Sequence, residues 1–185
     1  GETYFSRDQV IQNGIVAYEY GEAIGLKTGD KILDINGEPY NSITDLTSGS
    51  ALLSENGYYT VDRNGEILQV EIPRGFINTF NSEEAFSKFV ALRLPFEVGQ
   101  VDPGSGAESA GIAVGDQILA VNDQQIHYFD EMQSALQPLK GQTAQVVRKR
   151  DAQVDTLSIP VTEEARIGIA INPLIEPVRR EYGFA

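Results

Sequence analysis

The 185-residue sequence has no cysteine, no tryptophan and a single histidine. Without cysteine the chain cannot form disulfides, thiolate zinc sites or a cysteine nucleophile. The one histidine, His127, has no second histidine or cysteine with which to share a metal, and nothing in the spacing of the serines suggests a nucleophile elbow. We therefore expect no catalytic residue, no cofactor and no metal in this chain, and we interpret His127 as a surface residue.

Long apolar runs are also absent. No stretch approaches the roughly 18 residues that cross a membrane as a helix, and no signal peptide is visible. The first residue is Gly1 rather than methionine, and the last is Ala185. These features predict a soluble piece of a longer protein.

Basic residues are few, and the formal net charge is −13 from 27 acidic and 14 basic side chains. Such a field repels phosphate backbones, so nucleic acid is not an expected partner. The two short basic clusters, residues 148–150 and 179–180, are interpreted as a hairpin tip and a solvated chain end. Hydrophobic residues make up 41% and charged residues 22%, which suits two small folded domains of about 80 residues each.

The strongest positive feature is an internal repeat. Residues 25–40 read GLKTGDKILDINGEPY, and residues 111–126 read GIAVGDQILAVNDQQI. The identical pairs are Gly25/Gly111, Gly29/Gly115, Asp30/Asp116, Ile32/Ile118, Leu33/Leu119 and Asn36/Asn122. These are residue types of turns and cores, so the repeat predicts a duplicated domain.

Each copy has the same predicted order of elements: a Gly-Asp turn, a short apolar strand, an Asn-containing turn, a helix and a hairpin. In the first copy the strand falls at 31–35, the helix begins near Ser42 or Thr44, and the hairpin spans 58–72. In the second copy the strand falls at 117–121, the helix at 129–137 and the hairpin at 144–160. Between the copies, Ser82 followed by two glutamates predicts a short capped helix.

This order of elements resembles that of a bacterial, circularly permuted PDZ domain. The segments 25–33 (GLKTGDKIL) and 111–119 (GIAVGDQIL) are similar to that family's usual pattern, and residues 105–110 resemble the approach to it. In the first copy the approach, residues 20–24, is shorter than usual. The resemblance implies an α+β fold with two PDZ-like domains in tandem, each a small, partly open β-barrel or sandwich with one or two helices.

The tandem pair, followed by residues 166–173 (RIGIAINP) and the ending EYGF, resembles the periplasmic region of site-2-type intramembrane zinc proteases, the regulator-of-sigma-E protease family. The predicted organisation is a first domain at 1–78, a connecting helix at 79–91, a second domain at 92–164 and a tail at 165–185 that leads toward a membrane segment. The family's HExxH zinc motif is absent from this sequence. The resemblance therefore implies zinc in the parent's membrane domain and a location on the periplasmic side of the bacterial inner membrane.

PDZ domains bind the end of an extended chain by adding it as a strand to a sheet edge, while backbone N–H groups hold its carboxylate. In the second copy the resemblance implies a carboxylate loop at 92–96, an edge strand at 96–101 and a facing helix. The predicted peptide-binding residues there are Leu94, Phe96, Val98, Phe129, Gln133 and Leu136. In the first copy they are Gly14, Ile15, Ala17, Ile43 and Thr47. Pro95 lacks an N–H and departs from the pattern; core packing is the alternative interpretation for Leu136 and for the first-copy residues.

Three functions follow as hypotheses. The first is a non-catalytic gate that admits polypeptide substrates, such as trimmed anti-sigma factors, to a membrane-embedded zinc metalloprotease that acts in regulated intramembrane proteolysis during a stress response. The alternative is a peptide-binding module of a periplasmic serine protease or secretion protein, which takes C-terminal peptides. The third is a structural adaptor, which predicts a stable oligomer. The leading hypothesis expects a monomeric fragment whose arginines 179 and 180 meet lipid headgroups.

Overall fold

The computed structural model describes residues 1–180, which form two compact units. The first unit comprises Gly1–Arg93 and the chain from Glu176 onward, and the second comprises Leu94–Ile175. These limits differ from the predicted domains, because residues 79–91 lie within the first unit and residues 165–175 lie within the second. The end of the predicted tail, residues 181–185, lies outside the described residues.

The fold is mixed α+β, which confirms the predicted class. In chain order the strands are β1 (Glu2–Tyr4), β2 (Ile15–Ala17), β3 (Lys31–Ile35), β4 (Tyr58–Arg63), β5 (Glu66–Glu71), β6 (Val90–Leu92), β7 (Phe96–Val101), β8 (Gln117–Val121), β9 (Gln124–Gln125), β10 (Thr143–Arg150), β11 (Gln153–Pro160), β12 (Ile169–Pro173) and β13 (Val178–Arg180). The α-helices are α1 (Arg7–Asn13), α2 (Glu19–Ala23), α3 (Gly49–Leu52), α4 (Glu83–Phe86), α5 (Gly106–Ala110) and α6 (Phe129–Leu136). Short 3-10 helices span Ile43–Thr47, Phe76–Thr79 and Gln137–Leu139.

The two units share the same pattern of antiparallel strand pairing. In the first unit β3, β4 and β5 form an antiparallel sheet, β2 pairs with β6, and β1 pairs with β13. In the second unit the sheet order is β11-β10-β8-β9, and β12 pairs with β7 in antiparallel register around a bulge at Gly99. In each unit the strand that follows the hairpin, β6 or β12, therefore returns to pair with the strand that precedes the Gly-Asp turn, β2 or β7.

Local sequence accounts for several of these elements. Asn64 and Gly65 have φ angles of 52° and 89°, which is the backbone that a two-residue hairpin turn requires. The hydroxyl of Ser82 accepts a hydrogen bond from the N–H of Ala85, 3.3 Å away, and caps α4 as predicted. In α6 the spacing of Met132, Ala135 and Leu136 buries one face of the helix, also as predicted.

The core of the second unit lies between α6, the sheet β8-β10-β11 and the β7–β12 pair. Its fully buried members include Val98, Val121, Val146 and Ile159. The core of the first unit is built in the same way around Ile15, Ile32, Leu46, Tyr59 and Val61, which are also fully buried.

A buried aspartate ties each Gly-Asp turn to the hairpin that follows it. In the second unit Asp116, 1% exposed, accepts hydrogen bonds from Arg148 (3.0 Å) and Arg150 (2.8 Å). Both arginines also donate to the carbonyl of Gly111. The interpretation of residues 148–150 as a hairpin tip is therefore wrong for Arg148, which lies within β10 and is 7% exposed. The first unit repeats the arrangement with Arg63 and Asp30, whose side chains meet at 2.8 Å.

Candidate functional site

A cavity of about 380 Å³ lies in the second unit, between α6 and the segment that leads into β12. One wall is formed by Phe129, Met132, Gln133, Leu136 and Gln137. The other is formed by Glu164, Ala165, Arg166, Ile167 and Ile169. The base is apolar, because Met132, Leu136 and Ile167 are buried, whereas Gln133, Glu164 and Arg166 are exposed around the rim.

A glutamate in the first turn of helix α6 stabilises the start of the helix. The Glu131 carboxylate accepts hydrogen bonds from the N–H groups of His127 (3.0 Å) and Tyr128 (2.8 Å), which satisfies two donors at the start of the helix. His127 is exposed and packs its ring against Tyr128 rather than lying in the cavity. The helix thus presents a fixed face of apolar side chains, with Gln133 exposed beside it.

Strand β12 has a partner on one side among the described residues. It pairs with β7, and Ile171 lies opposite Val98. The N–H of Val98 donates to the carbonyl of Asp116, and its carbonyl accepts from the N–H of Gly115. Because Val98 turns its backbone groups away from β12, the Ile171–Val98 pair is a non-hydrogen-bonded pair. The backbone groups of Ile171 therefore face outward along the unpaired edge of β12.

The segment before β12 presents a row of N–H groups. Three successive carbonyls accept hydrogen bonds from the unit's own N–H groups: Arg166 from Thr162 (2.9 Å), Ile167 from Ala107 (2.9 Å) and Gly168 from Asp102 (2.8 Å). In a planar trans peptide the carbonyl and the N–H that follows it point in opposite directions. The N–H groups of Ile167, Gly168 and Ile169 are therefore turned away from these partners, in the segment that lines the cavity. Successive N–H groups of this kind form a site for an anion.

Gly168 makes this backbone path possible. Its φ is +94°, a conformation that side-chain-bearing residues rarely adopt, and a Cβ there would lie 2.2 Å from the Cβ of Ser105. Ser105 caps α5 by accepting a hydrogen bond from the N–H of Glu108, 3.2 Å away. The close approach of Gly168 to Ser105 therefore fixes the entry to β12 against the start of α5.

The structure brings together some of the predicted binding residues of the second copy. Phe129, Gln133 and Leu136 line the cavity, and Leu136 is also buried in the core. Leu94, Phe96 and Val98 do not line it. Phe96 and Val98 are buried core residues, and Leu94 is partly buried, with its carbonyl bonded to the N–H of Phe129. The predicted free edge on Phe96–Val101 is not found, because β12 covers one side of β7 and residues 115–116 bond to the other.

The first-copy residues are mostly structural. Ile15 and Ala17 are buried in the core, and β2 is paired with β6. Gly14 passes so close to Gly29 that a Cβ would lie 2.8 Å from its carbonyl oxygen. Ile43 donates its N–H to Phe5 and lines a different cavity, beside β1 and β13. Thr47 is partly buried and donates its hydroxyl to a carbonyl within its own 3-10 helix.

The residues of the second wall were not predicted as site residues, because residues 165–185 were interpreted as a tail. A signal was present in Ile167-Gly168-Ile169-Ala170-Ile171, where apolar residues alternate after Arg166 with a glycine at the start. Such alternation is typical of a half-buried strand, and an early glycine is typical of a close backbone approach. The segment lies beyond the repeated motif. The second domain was therefore predicted to end at residue 164, whereas the second unit extends to Ile175.

Residues 97–149 match the family model described as the PDZ domain. The chain contains a PDZ domain. The matched residues run from β7 into β10 and include α6, so one wall of the cavity belongs to the PDZ domain as the family model defines it. The second wall, formed around β12, lies beyond the match. The predicted PDZ fold is confirmed for this region, and its tandem, permuted arrangement stays a prediction.

Curated relatives of the chain are bacterial proteases. The chain is 28% identical over 129 residues to the periplasmic pH-dependent serine endoprotease DegQ of Escherichia coli (strain K12), an alignment that covers 60% of this chain and 28% of DegQ. It is 24% identical over 153 residues to the protein named "Putative zinc metalloprotease" of Treponema pallidum (strain Nichols), which covers 80% of this chain and 33% of that protein. The chain thus spans about a third or less of the length of these relatives.

Among solved structures, the PDZ domain of an SdrC-like protein from Listeria monocytogenes is similar to this chain. It is 18% identical, the match covers 44% of this chain and 90% of that one, and the TM-score is 0.38. Within residues 1–180, no helix is both long and apolar enough to cross a membrane.

Proposed function

We propose that the second unit binds the C-terminal end of an extended polypeptide in the groove between α6 and β12. The observation that carries this proposal is the row of N–H groups of Ile167, Gly168 and Ile169 beside an unpaired strand edge. A ligand chain that pairs with β12 extends the β7–β12 sheet by one strand, which provides affinity through main-chain hydrogen bonds. Its terminal carboxylate then lies at the N–H row, where consecutive donors stabilise a negative charge.

The cavity is suited to an apolar last residue. Its base is formed by Met132, Leu136 and Ile167, which are buried. A side chain that enters this space removes apolar surface from water, which favours binding by about 25 cal/mol per Å². On the rim, Arg166 adds a positive charge near the proposed carboxylate, whereas Glu164 repels acidic residues upstream.

The test is a calorimetric titration of the chain with an eight-residue peptide that ends in Val-Phe, prepared with a free carboxylate and as the C-terminal amide. We expect the free acid to bind at least tenfold more tightly than the amide, because only the carboxylate uses the N–H row. Equal binding of both forms, or binding of neither form across peptides with Leu, Val, Ala and Phe ends, contradicts the proposal.

For the whole protein, we propose a gate over a site-2-type zinc metalloprotease in the bacterial inner membrane. The Treponema pallidum relative supports it, with an alignment covering 80% of this chain against 60% for DegQ.

In this proposal the zinc is bound by another part of the protein, its membrane domain. Within residues 1–180, no group of three or more His, Asp or Glu side chains is arranged to hold a metal. What this chain contributes is a bulky pair of units on the periplasmic side, which restricts access to polypeptides short or extended enough to pass. Arginines 179 and 180 would then lie near lipid headgroups, where cations are attracted to anionic lipids.

The alternative is a peptide-binding module of a periplasmic serine protease. DegQ favours it, as does the Rhizobium meliloti (strain 1021) protein named "Probable periplasmic serine endoprotease DegP-like", which is 27% identical over 137 residues. Sequencing the DNA on both sides of the region that encodes these 185 residues separates the two. An HExxH motif inside an apolar span supports the gate, and a soluble serine protease domain upstream replaces it with the alternative.

A further inference from the structure

Hydrogen bonds align the strand pair of the first unit with that of the second. Ile15 donates to the Asp30 carbonyl and accepts from Gly29, as Val98 does with Asp116 and Gly115. Just after the end of β2, the N–H of Tyr18 donates to the carbonyl of Phe89 (2.9 Å). Just after the end of β7, the N–H of Asp102 donates in the same way to the carbonyl of Gly168 (2.8 Å). Strand β6 therefore stands where β12 stands, and Phe89 occupies the position of Gly168.

The same alignment places donors at the start of β6. The carbonyl of Lys88 accepts from Tyr20, and the carbonyl of Phe89 accepts from Tyr18. By the geometry of the trans peptide, the N–H groups of Phe89 and Val90 are turned the other way, and the N–H of Phe89 donates to the carbonyl of Phe86, 3.3 Å away. The first unit thus has the backbone arrangement of a groove.

The segment that leads into β6 is longer and richer in aromatic residues than its counterpart. Residues 72–89 lie between β5 and β6, against residues 161–168 between β11 and β12. The longer segment forms the 3-10 helix Phe76–Thr79 and helix α4, and it carries Phe76, Phe80, Phe86 and Phe89. We name these four residues the phenylalanine cluster.

The rings of the cluster are in mutual contact. Phe76 lies 5.6 Å and Phe80 lies 5.5 Å from the ring of Phe89, both edge to face, and Phe76 and Phe80 are 5.1 Å apart. Phe86 stacks on Phe80 at 5.0 Å from the outside and is 45% exposed. Phe76 and Phe89 are 7% and 1% exposed, so the inner half of the cluster belongs to the core.

The cluster connects the two walls of the first groove. The 3-10 helix Phe76–Thr79 packs against α3, which with the 3-10 helix Ile43–Thr47 stands in the position of α6. The ring of Phe76 also contacts Phe89, at the start of β6. One segment of the chain therefore lies against both the helix wall and the entrance of the strand wall, where the second unit has an open cavity.

From this arrangement we infer that the phenylalanine cluster is a built-in occupant of the first unit's groove, and that peptide ends bind the second unit alone. The inference rests on the proposed function, since it assigns that binding to one of two equivalent positions. The first unit then acts as a closed structural copy, and removal of the occupant opens a second site of the same chemistry.

The experiment is a residue-resolved NMR titration of the 185-residue chain, labelled with ¹⁵N, using the free-acid peptide that ends in Val-Phe. In the unchanged chain we expect saturable shifts of the amides 167–171 and none at 88–92. In the double variant Phe76→Ala/Phe80→Ala we expect saturable shifts at both segments. Phe86→Ala is the matched control, because it removes the exposed outer ring and leaves the inner contacts, and it keeps the pattern of the unchanged chain.

Saturable shifts at 88–92 in the unchanged chain, within threefold of the affinity at 167–171, overturn the inference and leave the proposed function intact. A double variant that keeps a dispersed spectrum and responds only at 167–171 also overturns it. Because Phe76 is buried, Phe80→Ala alone is the second variant if the double variant does not fold, with shifts at 88–92 again expected. The absence of shifts at 167–171 in every variant contradicts the proposed function, and the inference falls with it.

Discussion

Asp116 is 1% exposed and accepts hydrogen bonds from Arg148, Arg150 and the N–H of Ala113. Burial opposes its ionisation, but the bonds from Arg150, Ala113 and Arg148 outweigh burial and lower the pKa of this carboxyl from 3.8 to about 2. Arg148 is itself buried, and Asp116 and Asp155 provide its counter-charges. At the scale of the residue, the aspartate of the repeated motif is therefore an anchor for the β10–β11 hairpin.

We predict that Asp116→Asn destabilises the second unit. The substitution keeps the shape but leaves the Arg148 guanidinium buried without its main counter-charge, and breaking a buried pair in this way costs about 3 kcal/mol. Urea unfolding, followed by a signal from the second unit, measures the loss. Asp123→Asn, at an exposed turn position, is the control and should change the free energy of unfolding by less than about 0.5 kcal/mol. An equal effect of the two substitutions contradicts the anchoring role.

The lowered pKa of Asp116 predicts that the stability of the second unit depends on pH. The pKa of Asp116 is about 2 in the folded chain and near its ordinary value of 3.8 in an unfolded one. Between these values the unfolded state binds more protons, so stability rises with pH. The contribution is fully present above about pH 5 and is lost as the pH falls toward 2. Urea unfolding at pH 5 and pH 2.5 should therefore show a larger drop in stability for the unchanged chain than for Asp116→Asn, and parallel drops would refute this assignment.

At the scale of the element, the groove depends on how β12 enters its pairing with β7. The entry is fixed at Gly168, whose backbone lies against Ser105 at the start of α5. Helix α6 faces this entry with a wall set by the burial of Met132, Ala135 and Leu136 in the core. Core contacts hold the helix, whereas the strand wall is held by the pairing of β12 with β7, by backbone hydrogen bonds from Ala107 and Asp102, and by the close approach of Gly168 to Ser105.

We predict that Gly168→Ala weakens peptide binding by at least tenfold, because a Cβ would lie 2.2 Å from the Ser105 Cβ and displace the N–H row. Gly104→Ala is a matched control, since Gly104 also has a positive φ of +75° but nothing lies within 4 Å of its added Cβ. Both substitutions carry the cost of left-handed backbone, roughly 1 kcal/mol. Calorimetry with the free-acid peptide should separate them, and an equal loss of affinity would assign the effect to backbone strain instead.

At the scale of the whole molecule, the two units are built differently along the chain. The second unit is continuous, Leu94–Ile175, whereas the first is completed by the chain from Glu176 onward. Every strand partner of β7 to β12 lies inside the second unit. In the first unit, β1 has β13 as its partner.

We predict that residues 94–175, expressed alone, fold cooperatively and bind the free-acid peptide within threefold of the affinity of the 185-residue chain. The physical reason is that this segment contains its own core and both walls of the groove. Residues 1–93 alone should be less stable than the first unit in the full chain, because β1 loses β13. Circular dichroism during heating and the same calorimetric titration measure both expectations. An unfolded 94–175 fragment would show that the unit does not stand by itself.

Local sequence determined the parts of this protein whose physics is local. The Gly-Asp turns, the Asn64-Gly65 hairpin turn, the Ser82 cap and the buried face of α6 each depend on residues close together in the chain, and each was predicted. The internal repeat was likewise readable from identical residues at equal spacing, and the tandem arrangement that it predicts stays a prediction. Three of the residues predicted to bind peptide in the second copy, Phe129, Gln133 and Leu136, line one cavity because they lie on a helix whose faces follow from its period.

Only the tertiary structure decided which strand has the free edge. The alternating apolar residues of β7 and β12 look alike in sequence, and the choice depends on backbone hydrogen bonds between segments far apart in the chain. Val98 forms backbone hydrogen bonds with residues 115 and 116, so both sides of β7 are occupied. The outer edge of β12 is therefore the unpaired one. Long-range pairing also brings Arg148 onto Asp116. Such contacts depend on where the chain returns in space, which neighbouring side chains do not encode.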